Sequence, residues 1–205
     1  MTSTDALARL RRLAPTFTTR EAAGALGVDP RHASVVLSRL SRFGHVERLA
    51  QGRWVFPGRL EPFAVPEALT RPIPSYVSLQ SALYHHGMIE QIPDVVYAVS
   101  LGPTRRVRTS VVTVSLHRIG TDFFFGFERS PRSGASIATP EKALLDFFYL
   151  RPARSRTFRA LPELELPRNF SARRATVMLG KIRSERRRTI VRRLLEETLA
   201  RATRA

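Results

Sequence analysis

The sequence of 205 residues contains no cysteine, which excludes a disulfide scaffold, a thiolate zinc site and a cysteine nucleophile. It has no uninterrupted apolar run of about 18 residues, so we expect no transmembrane helix. The first residues are polar and then basic rather than apolar, so we expect no secretory signal. Together these absences predict a protein of the reducing cytoplasm.

Acidic residues are scarce, because 17 Asp and Glu stand against 34 Lys and Arg and leave a formal net charge of +17. Such a basic chain is typical of a protein that binds a polyanion, nucleic acid above all. The alternative is an arginine-rich codon composition, since all basic residues except Lys142 and Lys181 are arginine. Codon composition alone does not explain why acidic residues are half as frequent.

The excess charge lies at the two ends of the chain. Residues 1–60 carry 10 basic and 4 acidic side chains, residues 61–167 carry 12 and 10, and residues 168–205 carry 12 and 3. The nearly neutral middle is typical of a packed domain. The basic ends are typical of surfaces that face phosphate.

The first sixty residues have the pattern of a helix-turn-helix motif. After a first helix with leucines at helical spacing, Thr18 and Glu21 have the spacing of a capping box. Gly27 can end that second helix, and Asp29 followed by Pro30 can begin a third. Two helices joined by a turn of about three residues that contains glycine are typical of the motif.

The third helix has two different faces at 100° per residue. One face is apolar and should pack on the first two helices: Ala33, Val36, Leu37, Leu40 and Phe43. The other face suits a major groove, because arginine can bind guanine, serine can donate or accept, and valine can meet a thymine methyl group. A solvated helix face is the alternative, and the position as second helix of the motif favours DNA reading. The predicted DNA-binding residues of this face are Arg31, His32, Ser34, Val35, Ser38, Arg39 and Arg42.

Two short strands at about 45–49 and 53–56 flank a turn that contains Gly52, which predicts a hairpin. A hairpin directly behind a recognition helix is the wing of a winged helix. Arg53 can reach a phosphate or the minor groove from this position, and Arg48 is a second candidate. Trp54 or Phe56 is expected to pack on the domain core.

Prolines crowd the next segment and predict extended backbone rather than a helix. We therefore expect residues 1–58 to form the winged helix-turn-helix domain, 59–75 a proline-rich linker and 76–205 a second domain. An ordered strap along the second domain is the alternative for the linker. The prolines are Pro57, Pro62, Pro66, Pro72 and Pro74.

The second half has mixed α and β character, so the fold class predicted for the whole chain is α+β. A helix is expected at 78–87 with Ser78 as its cap, and another from Thr139 onward. Strands are expected at 95–101, 111–116 and 123–127. The three phenylalanines at 123–125 cannot all enter one core from a strand, so a terminal helix or another subunit should cover one sheet face.

Two basic amphipathic helices are expected from Ser171 onward, with an apolar inner stripe. Like charges repel, so this concentration of arginine favours an anionic partner: DNA that flanks the operator, an acidic protein surface or RNA. A solvated face is the alternative. The candidates for these secondary phosphate or partner contacts are Arg173, Arg174, Arg183, Arg186, Arg187, Arg188, Arg192 and Arg193.

Two stretches resemble the signatures of AbiEi-type antitoxins. The first runs from Pro74 to Gly87 and continues through residues 90–93, and the second runs from Ala138 to Asp146. That family also begins with a winged helix, so the resemblance covers nearly the whole chain. Its members are the antitoxin half of abortive-infection, type IV toxin–antitoxin pairs, which serve phage defence.

The resemblance implies a repressor that binds double-stranded DNA at repeats in its own promoter, with cooperative binding along the repeats as one arrangement. It also implies that the second domain counters a nucleotidyltransferase-like toxin, either directly or without a stable complex. The resemblance thus gives the second half an antitoxin role that charge and periodicity do not reveal.

Enzymatic motifs do not emerge from the sequence, so we expect no catalytic residue, cofactor or metal. Glu141 and Lys142 are adjacent and point to different helix faces, which does not fit a nuclease site. Adjacent His85 and His86 cannot share a helix face as metal ligands. Two alternatives remain: a winged-helix regulator with a ligand-sensing second domain and no toxin partner, and a nucleic-acid-processing enzyme with acidic residues gathered by the fold.

Overall fold

The computed structural model describes residues 2–151 and 164–202, and it has mixed α and β structure with helices and two sheets. Every sequence-predicted site residue lies within these ranges. Within the described residues, no helix is both long and apolar enough to cross a membrane. The N-terminal elements are α1 Ser3–Leu10, β1 Thr16–Thr18, α2 Thr19–Leu26, α3 Pro30–Arg42, β2 Glu47–Ala50 and β3 Arg53–Val55.

The caps predicted for α2 and α3 are confirmed. The Thr18 hydroxyl accepts the backbone N–H of Glu21, whose carboxylate accepts the N–H of Thr18 in return. Gly27 ends α2 with a positive φ of 70°, a conformation that glycine adopts without strain. The Asp29 carboxylate accepts the backbone N–H groups of Arg31 and His32 at 2.9 and 3.0 Å. These caps fix the turn between the two helices.

The hairpin of β2 and β3 is also confirmed, and β1 adds a third strand that the sequence did not reveal. The indole Nε1 of Trp54 donates to the Thr19 hydroxyl at 3.0 Å, which ties β3 to α2. Trp54 and Phe56 are buried against the three helices, as predicted. On the other side of this small sheet, Leu49 and Val55 join the core of the second sheet.

The proline-rich segment differs from the extended backbone that we expected. A 3₁₀ helix at Pro62–Ala64 leads into α4, Val65–Thr70, which is buried. Pro62 and Pro66 lie in the first turns of these helices, where a missing backbone N–H costs nothing. The prolines therefore start helices here instead of preventing them.

The second sheet has the strand order β6-β7-β5-β4-β9-β8. Strand β4 runs antiparallel to β5 and parallel to β9, while β5 runs parallel to β7 and β6 antiparallel to β7. The sequence suggested β5 and β7 and missed the shorter strands. The elements are β4 Ser75–Val77, α5 Leu79–His85, β5 Val96–Ser100, β6 Arg105–Arg108, β7 Thr113–Arg118, β8 Phe127–Arg129, β9 Ser136–Ala138, α6 Pro140–Leu150, α7 Ala172–Leu179 and α8 Glu185–Ala202.

The strand predicted at 123–127 is wrong. A 3₁₀ helix at Thr121–Phe123 is followed by irregular backbone, and β8 begins only at Phe127. Phe123 is fully buried, and the ring of the next residue, Phe124, packs on Tyr76 of the same core at a centroid distance of 5.0 Å. Because the chain turns here, the neighbouring rings can face one core, which a strand would not allow.

A buried polar network joins α6 to the first strand of the second sheet. Lys142 and Asp146, one helical turn apart, form an ion pair with no solvent exposure. Tyr76 accepts from Lys142 at 2.8 Å and donates to Asp146 at 3.0 Å. The Ser78 hydroxyl donates to Asp146 at 2.7 Å. The predicted cap of α5 by this side chain is therefore not formed. Lys142 also lies 4.0 Å from the ring centroid of Phe123.

We expect this ion pair to be critical for stability. Replacing Lys142 by Met leaves a buried carboxylate without its cation, so the free energy of unfolding should fall by about 3–5 kcal/mol in urea titrations. Replacing Arg193 by Gln removes one partner of an exposed pair at 3.5 Å and should cost less than about 1 kcal/mol. Equal losses in the two variants would contradict the special status of the buried pair.

Candidate nucleic-acid interface

The face of α3 predicted to read DNA is exposed along its length. Arg31, His32, Ser34, Val35, Ser38, Arg39 and Arg42 are all exposed. Val35 is exposed over 69% of its surface, although it is an apolar residue on a helix that contributes four other residues to the core. A single exposed apolar side chain is common on protein surfaces, so the interest of Val35 is its position between the arginines and serines of this face.

The opposite face of α3 holds the helix against its neighbours, with one correction. Ala33, Val36, Leu37 and Leu40 are buried as predicted. Phe43 is 69% exposed, and its expected packing on α1 and α2 is wrong. The helix ends at Arg42, and Phe43 has cap geometry with φ −92° and ψ 7°. The rotation of 100° per residue therefore no longer applies at Phe43.

The charged side chains of α3 are all basic. No acidic residue occurs between Pro30 and Arg42. The Asp29 carboxylate precedes the helix, and the backbone N–H of His32 that it accepts holds its pKa below the ordinary value. This carboxylate stays ionised at neutral pH and fixes the N-terminal turn from which Arg31 extends.

The two hairpin arginines differ in their surroundings. Arg48 is exposed on β2, where it can reach a phosphate. The Arg53 guanidinium donates instead to the backbone carbonyl of Arg71, just after α4. Arg53 and Arg71 both line a cleft of about 360 Å³, together with Glu21 of α2. Sequence reasoning missed Arg71, because nothing local indicates that its carbonyl meets the hairpin.

The terminal helices predicted from Ser171 are confirmed as α7 and α8, and four of their arginines have partners within the chain. Arg174 pairs with the buried Glu141 at 2.9 Å. Arg187 lies over the ring of Tyr149 at 4.5 Å, and Arg188 donates to the carbonyl of Ile182. Arg193 pairs with Glu197.

The other four, Arg173, Arg183, Arg186 and Arg192, are exposed. In residues 2–151 and 164–202, their guanidinium groups make no hydrogen bond or ion pair. The backbone N–H of Arg183 donates to the Asp122 carboxylate at 3.3 Å and leaves the side chain available. These four are the arginines best suited to an anionic partner.

A second cleft, of about 260 Å³, lies where β9 meets α6. His86 contacts the carbonyl of Ala138 at 2.7 Å there, while His85 is exposed. Glu141 is buried; its Oε1 accepts the N–H of Ser171, and its Oε2 has no hydrogen-bond partner in the described residues. No group of three residues suited to hold a metal occurs in that same part of the chain.

Comparison with known families gives a match for the N-terminal part of the chain. Residues 5–57 match a family model described as a transcriptional regulator, AbiEi antitoxin. The matched segment includes α3 and the hairpin of β2 and β3, and the predicted resemblance is confirmed for these residues. The two signature-like stretches at 74–93 and 138–146 lie outside the matched segment. No match was found among curated proteins.

The two groups of terminal arginines allow a charge-matched test on one helix. If α8 contacts DNA, replacing Arg186 and Arg192 by Gln should reduce the log–log salt slope of DNA binding by about 1.8, or 0.9 for each lost phosphate contact. Replacing Arg187 and Arg188 by Gln removes the same charge but should mainly lower the melting temperature. Fluorescence anisotropy at several salt concentrations measures the slope. An identical slope change in both variants would mean that only net charge matters.

Proposed function

We propose that the chain is a DNA-binding antitoxin of a type IV toxin–antitoxin system that acts in the cytoplasm and represses its own promoter. The observation that carries this proposal is the exposed face of α3, where arginines, serines and Val35 stand in solvent. This face lies within the segment that matches a transcriptional regulator family. Charge alone suggests a polyanion, and the family match narrows the proposal to regulation of transcription.

In this proposal residues 1–58 are a winged helix-turn-helix domain, and α3 enters the major groove. Arg31 and Arg42 can each form two parallel hydrogen bonds to a guanine edge. Ser34 and Ser38 are short enough to let the helix approach the bases, and Val35 can pack on a thymine methyl group. Each such base contact discriminates by about 1–3 kcal/mol.

Phosphate contacts around the groove would set the position of α3. Arg39 flanks the reading face, and Arg48 extends from the hairpin, which is the wing in this proposal. Arg53 has a supporting role, since its bond to the carbonyl of Arg71 links the wing to α4. The four available arginines of α7, α8 and the turn between them would contact the flanking duplex.

Residues 76–205 form the antitoxin part of the proposal, and 59–75 connect it to the reader. Its target is a nucleotidyltransferase-like toxin, by resemblance of the two signatures to those of AbiEi-type antitoxins. Lys142 and Asp146 of the second signature are fully buried in mutual contact. Their role is therefore to build the domain rather than to touch a toxin or a substrate.

A ligand-sensing regulator is the second candidate, and the cleft beside α6 favours it. Glu141 is 1% exposed, and one of its carboxylate oxygens lacks a donor in the described residues. A buried acceptor without a partner costs about 1–3 kcal/mol, so a ligand with an N–H group would gain from reaching it. A saturable rise in melting temperature with small amines would support this candidate.

The test of DNA reading uses the promoter of the chain's own gene and a scrambled duplex at fixed salt. We expect Arg31→Ala or Arg42→Ala to weaken promoter binding by about 1–3 kcal/mol, because each removes a guanine contact. Binding to the scrambled duplex should change less. The control is Arg129→Ala, which removes the same charge at an exposed position of β8, in the second sheet.

Unchanged promoter affinity in both α3 variants, with unchanged melting temperatures, would exclude α3 as the reader. An equal effect of Arg129→Ala would also contradict the proposal, because the affinity would then follow net charge rather than position on α3.

A further inference from the structure

The second sheet contains a strongly basic segment that is separate from α3 and from the terminal helices α7 and α8. Between Val95 and Thr121 the chain has four arginines and no acidic residue, inside a middle region whose total charge is nearly neutral. Strand β6 contributes Arg105, Arg106 and Arg108 at an edge of the sheet, and Arg118 ends β7.

The strand register brings two of these arginines to one face with aromatic and hydroxyl groups. Arg106 is directly opposite Ser115, and Ser115 lies beside Tyr97 of β5. Opposite residues of paired strands share a face, as do alternate residues of one strand. Arg108 and His117 therefore join them. We call this set, Tyr97, Arg106, Arg108, Ser115 and His117, the Arg106 face.

The arginines of the Arg106 face are exposed, and its aromatic groups are partly buried and aligned. Arg106 and Arg108 are exposed, and Tyr97, Ser115 and His117 are half-buried. The rings of Tyr97 and His117 are nearly parallel, 22° apart with centroids at 6.3 Å, and Ser115 lies 3.0 Å from His117 Nε2. Burial lowers the pKa of His117 to about 4, so its ring is neutral at pH 7 and the positive charge comes from the arginines.

We propose that the Arg106 face binds single-stranded nucleic acid. A flat sheet surface that combines arginines with aromatic rings offers phosphate contacts and base stacking together. A duplex hides the faces of its bases in the stack, so it could use only the arginines. Arg106 and Arg108 are separated by two residues of strand, about 6.8 Å, which lets them contact different phosphates of one extended strand.

Protection of a sheet edge by charge is the simpler explanation of arginines on β6. It accounts for Arg106 and Arg108 but not for their placement on the same face as the aligned rings of Tyr97 and His117. The proposal is independent of DNA reading by α3, because the Arg106 face is on the second sheet and α3 is one of the N-terminal elements. Either one can fail while the other holds.

Fluorescence anisotropy with the full chain tests the proposal. The probes are labelled oligouridylate and oligothymidylate of about 15 nucleotides, and a mixed-sequence duplex of equal length. R106Q/R108Q should flatten the log–log salt slope of single-strand binding by about 1.4, or 0.7 per lost phosphate contact, and leave duplex binding nearly unchanged. The control R129Q/R132Q removes two exposed arginines at and just after β8, the opposite edge strand of the sheet.

Substitutions of Tyr97 separate the contribution of base stacking from the contribution of charge. Tyr97→Leu should weaken single-strand binding at least about fivefold, whereas Tyr97→Phe keeps the ring and should retain it. Melting temperatures verify that each variant is folded, and the pair of arginine variants tests the proposal if Tyr97→Leu does not fold. Binding of either oligonucleotide supports the proposal, and tighter binding of oligouridylate would indicate recognition of the 2′-hydroxyl.

Three results would overturn the proposal. If R129Q/R132Q weakens single-strand binding as much as R106Q/R108Q, only net charge acts. If R106Q/R108Q weakens duplex binding alone, the face belongs to duplex DNA. If neither arginine variant nor Tyr97→Leu changes any binding, the arginines only protect the sheet edge.

Discussion

The buried ion pair between Lys142 and Asp146 is the constraint on which the second half of the structure depends. Two charges without solvent exposure are tolerated only when their partners are complete, because desolvation of each ion costs several kcal/mol. Tyr76 and Ser78 complete them, and both lie at the junction of β4 and α5. Burial lowers the pKa of Lys142 and raises that of Asp146, while the opposite charge of each partner counteracts this. The observed placement of α6 against β4 satisfies all four groups.

This arrangement extends to the proposed DNA-binding part through the segment before β4. The buried helix α4 packs in the same core as Leu49 and Val55 of the small sheet. The carbonyl of Arg71, next along the chain, accepts from Arg53 of the hairpin. An apolar contact and a hydrogen bond thus join the two sheets on either side of α4. The proline-rich segment therefore contains two short helices and contacts both parts of the chain.

The features that could be predicted from the sequence are those that depend only on neighbouring residues. Caps at Thr18 and Asp29 and the turn at Gly27 depend on residues within one helical turn, and the structure has them. Long-range partners override local rules elsewhere. Ser78 has the position of a cap, but its hydroxyl serves Asp146, 68 residues away. Phe123 lies in a run of aromatic residues that is typical of a strand. The backbone turns there instead, and the Phe123 ring packs beside Lys142 in the core. The exposed face of α3 was predictable because helical periodicity alone separates it from the core.

The number of charged residues in a segment is a poor guide to which of them form a nucleic-acid-binding site. Arg174 belongs to the most basic segment, yet it neutralises the buried Glu141 and is only partly available to phosphate. Arg187 lies on the ring of Tyr149, so part of its role is to pack α8 on α6. Conversely, the middle of the chain is nearly neutral in total, yet β6 and β7 contain four arginines in a stretch, Val95 to Thr121, that has no acidic residue. A residue's contribution to a nucleic-acid surface depends on whether the fold has already given its charge a partner, and only the tertiary contacts decide that.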